Sequence, residues 1–237
     1  MDSVLVFDVW GEYGHFRKYY TTTSPLTFAI PPRTALTGLI AGIIGLEKGE
    51  YLKHFSKSDA HIALKILSPT KKVRFSENLI DTKTAELMGR IKNRTQIRFE
   101  FLKNPKFRIY FHHTDPALYR KTREFLEQHK CVYTPCLGLS EHIANFKFIG
   151  EFGCTKVTGN SESVQIDSII PLPDKATVKL DFKEPGEYFS EILPVEMDDT
   201  RTLLEYSKTI YERNGKPIQA SVESFWKLDN HENIIFL

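Results

Sequence analysis

Residues 31–45 read PPRTALTGLIAGIIG, and this stretch sets the frame for everything around it. Proline is tolerated in the first turn of a helix, where its missing N–H has no partner to lose, so Pro31 and Pro32 predict a helix from about residue 32 to 46. Leu39, Ile40, Ile43, Ile44 and Leu46 supply its apolar surface. Gly38, Gly42 and Gly45 fall at i, i+4 and i+7. Glycine costs about 1 kcal/mol in a helix interior, so three together point to close approach of a sheet or a neighbouring chain. The apolar run from Ala35 to Leu46 is well short of the ~20 residues that cross a bilayer.

Upstream, residues 3–10 (SVLVFDVW) read as a strand with two apolar faces, as in the centre of a sheet. The start lacks the basic segment and small-residue cleavage site of a secretory signal, and the chain is expected to be cytoplasmic. Residues 11–28 are too polar and aromatic for a core element and too long for a tight turn. Downstream, HIALKIL at 61–67 reads as a strand, followed by a basic region with a weak helical piece near 81–89. Strands over 95–102 and 107–113 flank Lys103-Asn104-Pro105-Lys106, which reads as a hairpin turn. Asp115 is an N-cap candidate for a helix to about His129, with Leu118, Phe125 and Leu126 inward, and FKFIGEF at 146–152 is a further strand.

Without the basic insertion the order is βαββαβ, the ferredoxin-like arrangement also used by RNA-recognition modules. The predicted fold is therefore α+β: a ferredoxin-like core over residues 1–153, with a β-rich acidic extension over 154–237 packed on it. In that extension, residues 200–213 read as a helix.

The formal net charge of +2 hides a segregation. Residues 1–130 hold 22 Lys+Arg against 13 Asp+Glu, and residues 131–237 hold 10 against 17, so a basic half (+9) precedes an acidic one (−7). Such asymmetry fits a chain that lays one side along a phosphate backbone and offers the other to proteins; a solvated charged face is the alternative. The three cysteines form no C-x-x-C pair, which argues against a zinc site or a disulfide framework. Phosphate-loop, dinucleotide and zinc-protease motifs are absent from the sequence, and no cofactor or metal is expected. Asp198-Asp199 reads as an acidic pair at a helix start rather than a metal site.

Two stretches carry chemistry. In the first, Tyr13, His15, Phe16, Arg17, Lys18 and Tyr19 hold the residue types that stack on bases and bind phosphate. Tyr13, His15 and Lys18, with His112, are also the types a metal-independent ribonuclease uses to activate a 2′-hydroxyl and stabilise phosphorane-like charge. Spacing does not separate these readings, and an ordinary polar loop is the third. The second stretch is the helix start, where Arg33 and Thr34 suit an anion. His112 and His113 sit side by side on a strand, so their rings point to opposite faces and cannot converge on one bond.

Phe16-Arg17-Lys18, PPRTALTGLIAGIIG at 31–45 and TPCLGLSEHIA at 134–144 together resemble the CRISPR-associated family-five proteins, in their subtype I-B branch. The resemblance covers most of the first 150 residues and implies a non-catalytic subunit of the type I effector complex, Cascade. Such a subunit holds the 5′ handle of the crRNA, caps the backbone filament, and meets the backbone subunit, the large subunit and target DNA. It also implies a basic thumb, here about residues 70–108, adding Lys71, Lys72, Arg74, Arg90, Lys92, Arg94 and Arg98 to the expected RNA contacts. The related subtype I-C branch cuts precursor crRNA with a Tyr, Lys and His set. Endoribonuclease activity is therefore the alternative expectation.

Overall fold

In the computed structural model, residues 1–21, 23–80, 94–159, 162–172, 178–182 and 185–237 are described. Strand β1 (Ser3–Gly11) lies at the centre of a six-stranded sheet. It pairs antiparallel with β6 (Lys106–His113) on one side and β7 (Ala144–Thr158) on the other, and β3 (Ala60–Ile66) follows β6. Beyond β7 come β14 (Ser224–Leu228) and β15 (Asn233–Ile234), so the order across the sheet is β15-β14-β7-β1-β6-β3. The boundary expected between residues 153 and 154 falls inside β7.

Both faces of β1 are buried, as its sequence requires. Leu5, Phe7 and Val9 join the main core beneath helices α1 (Arg33–Ile44) and α2 (Pro116–Glu127). Val4 and Val6 face a second core with Ala63, Tyr110, Leu228 and Ile234. The second core exists because the sheet curls: the Leu237 N–H, just past β15, donates to the Ile62 carbonyl of β3 at 2.9 Å, bringing the two edges together.

Helix α1 ends at the last of its three glycines. Gly45 takes the left-handed conformation (φ 74°), while Leu46 N–H reaches back to the Ala41 carbonyl and Gly45 N–H to that of Gly42, a Schellman stop. Among the described residues a Cβ on Gly42 would meet nothing within 4 Å, so close packing within them does not explain that glycine. Helix α2 is capped by the Asp115 carboxylate, which accepts from Ala117 N–H at 2.7 Å.

Two expectations fail. Residues 103–106 do not join a hairpin: β5 (Arg94–Lys103) pairs with β4 (Lys72–Ile80) and β2 (Tyr13–Gly14), whereas β6 pairs with β1 and β3. The turn at Asn104 (φ 49°) hands the chain from one sheet to another. Residues 203–212 form strand β12, not a helix, paired with β11 (Tyr188–Met197) and β9 (Ile170–Leu172). Asp198 accordingly closes a turn, accepting from Thr200 Oγ1 and Thr202 N–H. A last small sheet holds β10 (Lys179–Leu180), β13 (Ile218–Ser221) and β8 (Val164–Ile166). The expected helical piece at 81–89 lies outside the described residues. No helix among them is long and apolar enough to cross a membrane.

Inside the curl, the cross-strand row Asp8, Arg108, Lys65 is closed by Glu232 and Asp167. Arg108 binds Asp8 at 2.8 Å and Glu232 at 3.3 Å, and Lys65 binds Glu232 at 2.7 Å and Asp167 at 3.0 Å. Burial alone would raise the Glu232 carboxyl, but the hydrogen bonds from Lys65 and Asn230 and the charge of Arg108 hold it below its ordinary value of 4.5. A depressed folded-state pKa gives stability that is present above pH 4.5 and is lost as pH falls through the lower folded value. Glu232→Gln is expected to cost about 2 kcal/mol at neutral pH, since Lys65 and Arg108 each keep one anion. The variant should also lose less stability on acidification. Urea midpoints at pH 7 and pH 4 measure both, and parallel pH profiles for the two proteins would count against the assignment.

Candidate nucleic-acid interface

Antiparallel pairing puts opposed residues on one side of a sheet, and the β4–β5 register sorts this hairpin into two unlike faces. Lys72↔Leu102, Arg74↔Glu100, Ser76↔Arg98, Asn78↔Gln96 and Ile80↔Arg94 share one face, where four cations meet a single carboxylate. Val73↔Phe101, Phe75↔Phe99, Glu77↔Ile97 and Leu79↔Thr95 share the other. The alternation that makes the strands is the same alternation that segregates charge from rings.

On the cationic face, Glu100 is held between Lys72 (3.2 Å) and Arg74 (3.1 Å). Burial would raise its carboxyl, yet these two cations keep it below the ordinary value. Arg94 and Arg98 are exposed and make no ion pair among the described residues. Lys71 is exposed at the base of the hairpin. Arg90 and Lys92 lie outside the described residues.

The ring face receives Tyr13, whose strand β2 pairs with the end of β5. Tyr13 packs edge-on to Phe75 at 5.5 Å, and His142 packs edge-on to Phe101 at 5.0 Å. Phe75, Phe99, Phe101 and His142 are absent from the sequence-based site; the alternation in KVRFS and RFEF is the signal that marks the three phenylalanines.

The loop after β2 divides. His15 is 2% exposed; its Nδ1–H donates to the Glu100 carbonyl, and Phe99 and Phe101 flank its ring. Burial pulls its pKa down, so it stays neutral. Phe16 belongs to the main core. Both are placed beneath the surface, so the expected RNA contact does not extend to them. Gly138, within the TPCLGLSEHIA block, passes so close that a Cβ there would collide with the His15 carbonyl oxygen. Lys18 is held by Glu191 at 2.8 Å, a pair largely closed to solvent. Arg17 is exposed and donates to the Thr21 carbonyl, while Tyr19 is exposed against Tyr20 and Tyr206.

The helix start does not present an anion site. Pro31, Pro32 and Arg33 are buried, and the Arg33 guanidinium donates to the carbonyls of Val195, Phe55, Ser56 and Ala60. Thr34 is half-buried and its carbonyl accepts from Thr37.

Nor do Tyr13, His15, Lys18 and His112 converge. Extending the β1–β6 register places His112 opposite Val4, at the far end of β1 from Tyr13, and Val4 to Gly11 alone spans roughly 23 Å at strand rise. His112 bonds the Ser3 carbonyl and stacks on His61 instead. His113 faces the other way, bonding the His54 carbonyl and packing on Phe55.

This strand-rich α+β fold is shared with CRISPR-associated proteins of known structure. A CRISPR protein from Archaeoglobus fulgidus is similar over 98% of both chains, with a TM-score of 0.57 and 15% identity. A chain of a CRISPR RNA-guided surveillance complex is similar over 90% of this chain and 91% of its own, with a TM-score of 0.54 and 11% identity. No curated protein matches the sequence. Residues 4–182 match the family described as CRISPR-associated protein (Cas_Cas5), in its Cas_Cas5d form. The chain belongs to this CRISPR-associated family.

Proposed function

We propose that this chain is a non-catalytic crRNA-binding subunit of a type I Cascade complex, gripping the 5′ handle with the cationic face of the β4–β5 thumb. The observation that supports this reading most directly is that face itself: Lys72, Arg74, Arg94 and Arg98 on one side of a hairpin, opposed by Glu100 alone among the described residues. A row of cations at strand spacing follows a phosphate backbone, and family membership makes RNA the polyanion. The order β1, α1, β3, β6, α2, β7, with β7-β1-β6-β3 adjacent, supports a ferredoxin-like core, with the thumb between its second and third strands. The backbone subunit, large subunit and target DNA are the proposed partners, and the cytoplasm the proposed location. The subtype I-B reading rests on the three sequence blocks.

The Cas_Cas5d form of the family match favours a second reading, because that form belongs to subtype I-C, where the subunit cuts precursor crRNA. One preparation tests both. Titrating the purified chain with single-stranded RNA between about 50 and 200 mM salt should give a log–log slope of about −2 to −3, near −0.7 for each of three or four phosphates. Incubation of the same chain with repeat RNA in EDTA should leave it intact. A single cut ending in a cyclic phosphate would establish the nuclease reading, and a slope near zero would remove the phosphate grip.

A further inference from the structure

At the foot of the thumb's cationic face, a cavity of about 380 Å³ opens between Ala29, Thr70 and Lys72 on one side and Phe189, Glu191, Tyr211 and Arg213 on the other. Pockets that hold small ligands run from about 300 to 1,000 Å³, so this one lies within that range, toward its small end. Phe189 and Tyr211 are register partners on β11 and β12, and their rings stack 6.0 Å apart with 21° between planes. Tyr211 is buried and Phe189 remains 47% exposed, so a supported ring lines the opening. Thr70 Oγ1 is buried with no hydrogen-bond partner among the described residues, an unused donor and acceptor in the wall.

The charges at the mouth divide in the same sense. Both Glu191 oxygens are engaged, one by Lys18 Nζ and the other by Ala29 N–H, each at 2.8 Å, so its negative charge is neutralised inside the protein. Lys72 Nζ donates to the Thr27 carbonyl and to Glu100, which leaves one of its three N–H groups unused among the described residues. Arg213 donates through Nε to the Thr70 carbonyl and through one terminal nitrogen to Glu187, leaving the second terminal nitrogen unused among the described residues. A ring floor with two partly free cations at its rim is the donor set for a base with its attached phosphate. Lys72 belongs to both the cavity and the thumb face, so the two surfaces are continuous.

We propose that this cavity receives one nucleotide turned out of the bound RNA strand, with its base on Phe189 and its phosphate between Lys72 and Arg213. The inference rests on the RNA-binding reading above and adds the C-terminal strands β11 and β12 to the interface. The shared chemistry is a base bearing a phosphate, which a strand or a free nucleotide offers equally.

The test uses the full chain with a labelled single-stranded RNA of about ten nucleotides, and AMP and UMP as free-nucleotide probes. Phe189→Ala should weaken RNA binding about tenfold with an unchanged salt slope, because stacking carries no charge, while Phe189→Tyr should stay within about twofold. AMP and UMP should bind at least about a hundredfold more weakly than the RNA, which contacts the thumb as well. Nucleotides that bind as tightly as RNA overturn the strand as the source. Wild-type affinity in Phe189→Ala, alongside weakened binding in a thumb variant, overturns the pocket and leaves the RNA grip standing. Absence of RNA binding by the unaltered chain overturns both.

Discussion

Arg33→Ala is expected to destabilise the protein by about 3–5 kcal/mol, the largest stability loss anticipated from any single exposed or buried cation here. The side chain is 2% exposed, and its guanidinium donates to Ala60 at 2.7 Å, Ser56 at 2.9 Å, Phe55 at 3.1 Å and Val195 at 3.2 Å. These carbonyls come from three places: the segment before β3, the start of β3 itself, and the inner end of β11. Truncation withdraws the guanidinium from these carbonyls, of which Ser56 keeps the Asp59 and Ala60 N–H groups, and adds a cavity, two costs that sum. Burial pulls the Arg33 pKa down to about 10, with the charges of Glu196 and Glu205 opposing the shift, so the cation persists at neutral pH. Arg33→Lys should recover only part of the loss, because one ammonium cannot span a fork built for a planar guanidinium. Urea midpoints decide the matter, and a shift worth less than about 1 kcal/mol for Arg33→Ala would mean that the cage carries no net energy.

Arg33 also shows where sequence reading stopped. A basic residue at a helix start reads as an anion site, since nothing local records that β11, about 160 residues later, closes over it. The elements with a regular apolar pattern or a cap were legible: β1 through its two apolar faces, α1 through its prolines and apolar surface, α2 through Asp115. The stretch at 203–212 was not. Its inward positions, Ser207, Thr209 and Tyr211, are mostly polar, while Leu204 and Tyr206 face solvent, so the alternation that marks a strand is inverted. Leu203, Leu204, Ser207, Ile210 and Tyr211 then mimic a helical period. The charge segregation was legible as a fact but only partly as a function. Lys18–Glu191, Lys57–Glu205 and the Lys65 pairs with Asp167 and Glu232 join the basic half to the acidic half within the chain. Some of the asymmetry is therefore satisfied internally, and the thumb carries part of what faces outward.

That outward remainder sets the second large effect. Reversing Arg94 and Arg98 together, as Arg94→Glu with Arg98→Glu, should weaken RNA binding about a hundredfold at low salt and make the log–log salt slope shallower by about 1.4. Removal of two phosphate contacts accounts for the slope; repulsion of the strand by two new carboxylates adds to the loss of affinity. Neither arginine is held by an ion pair among the described residues, so folding stability should move by less than about 0.5 kcal/mol. Net charge alone would produce a uniform effect. Arg120→Glu with Lys130→Glu changes the total charge equally from exposed positions at and just beyond α2, away from the hairpin, and should alter binding by less than about threefold. Equal losses from the two pairs would reduce the thumb to one patch of a diffuse positive field. A loss confined to the hairpin pair places the strand along β4 and β5, where the spacing of alternate side chains, roughly 6.6–6.8 Å, matches the step from one phosphate to the next in an extended single strand.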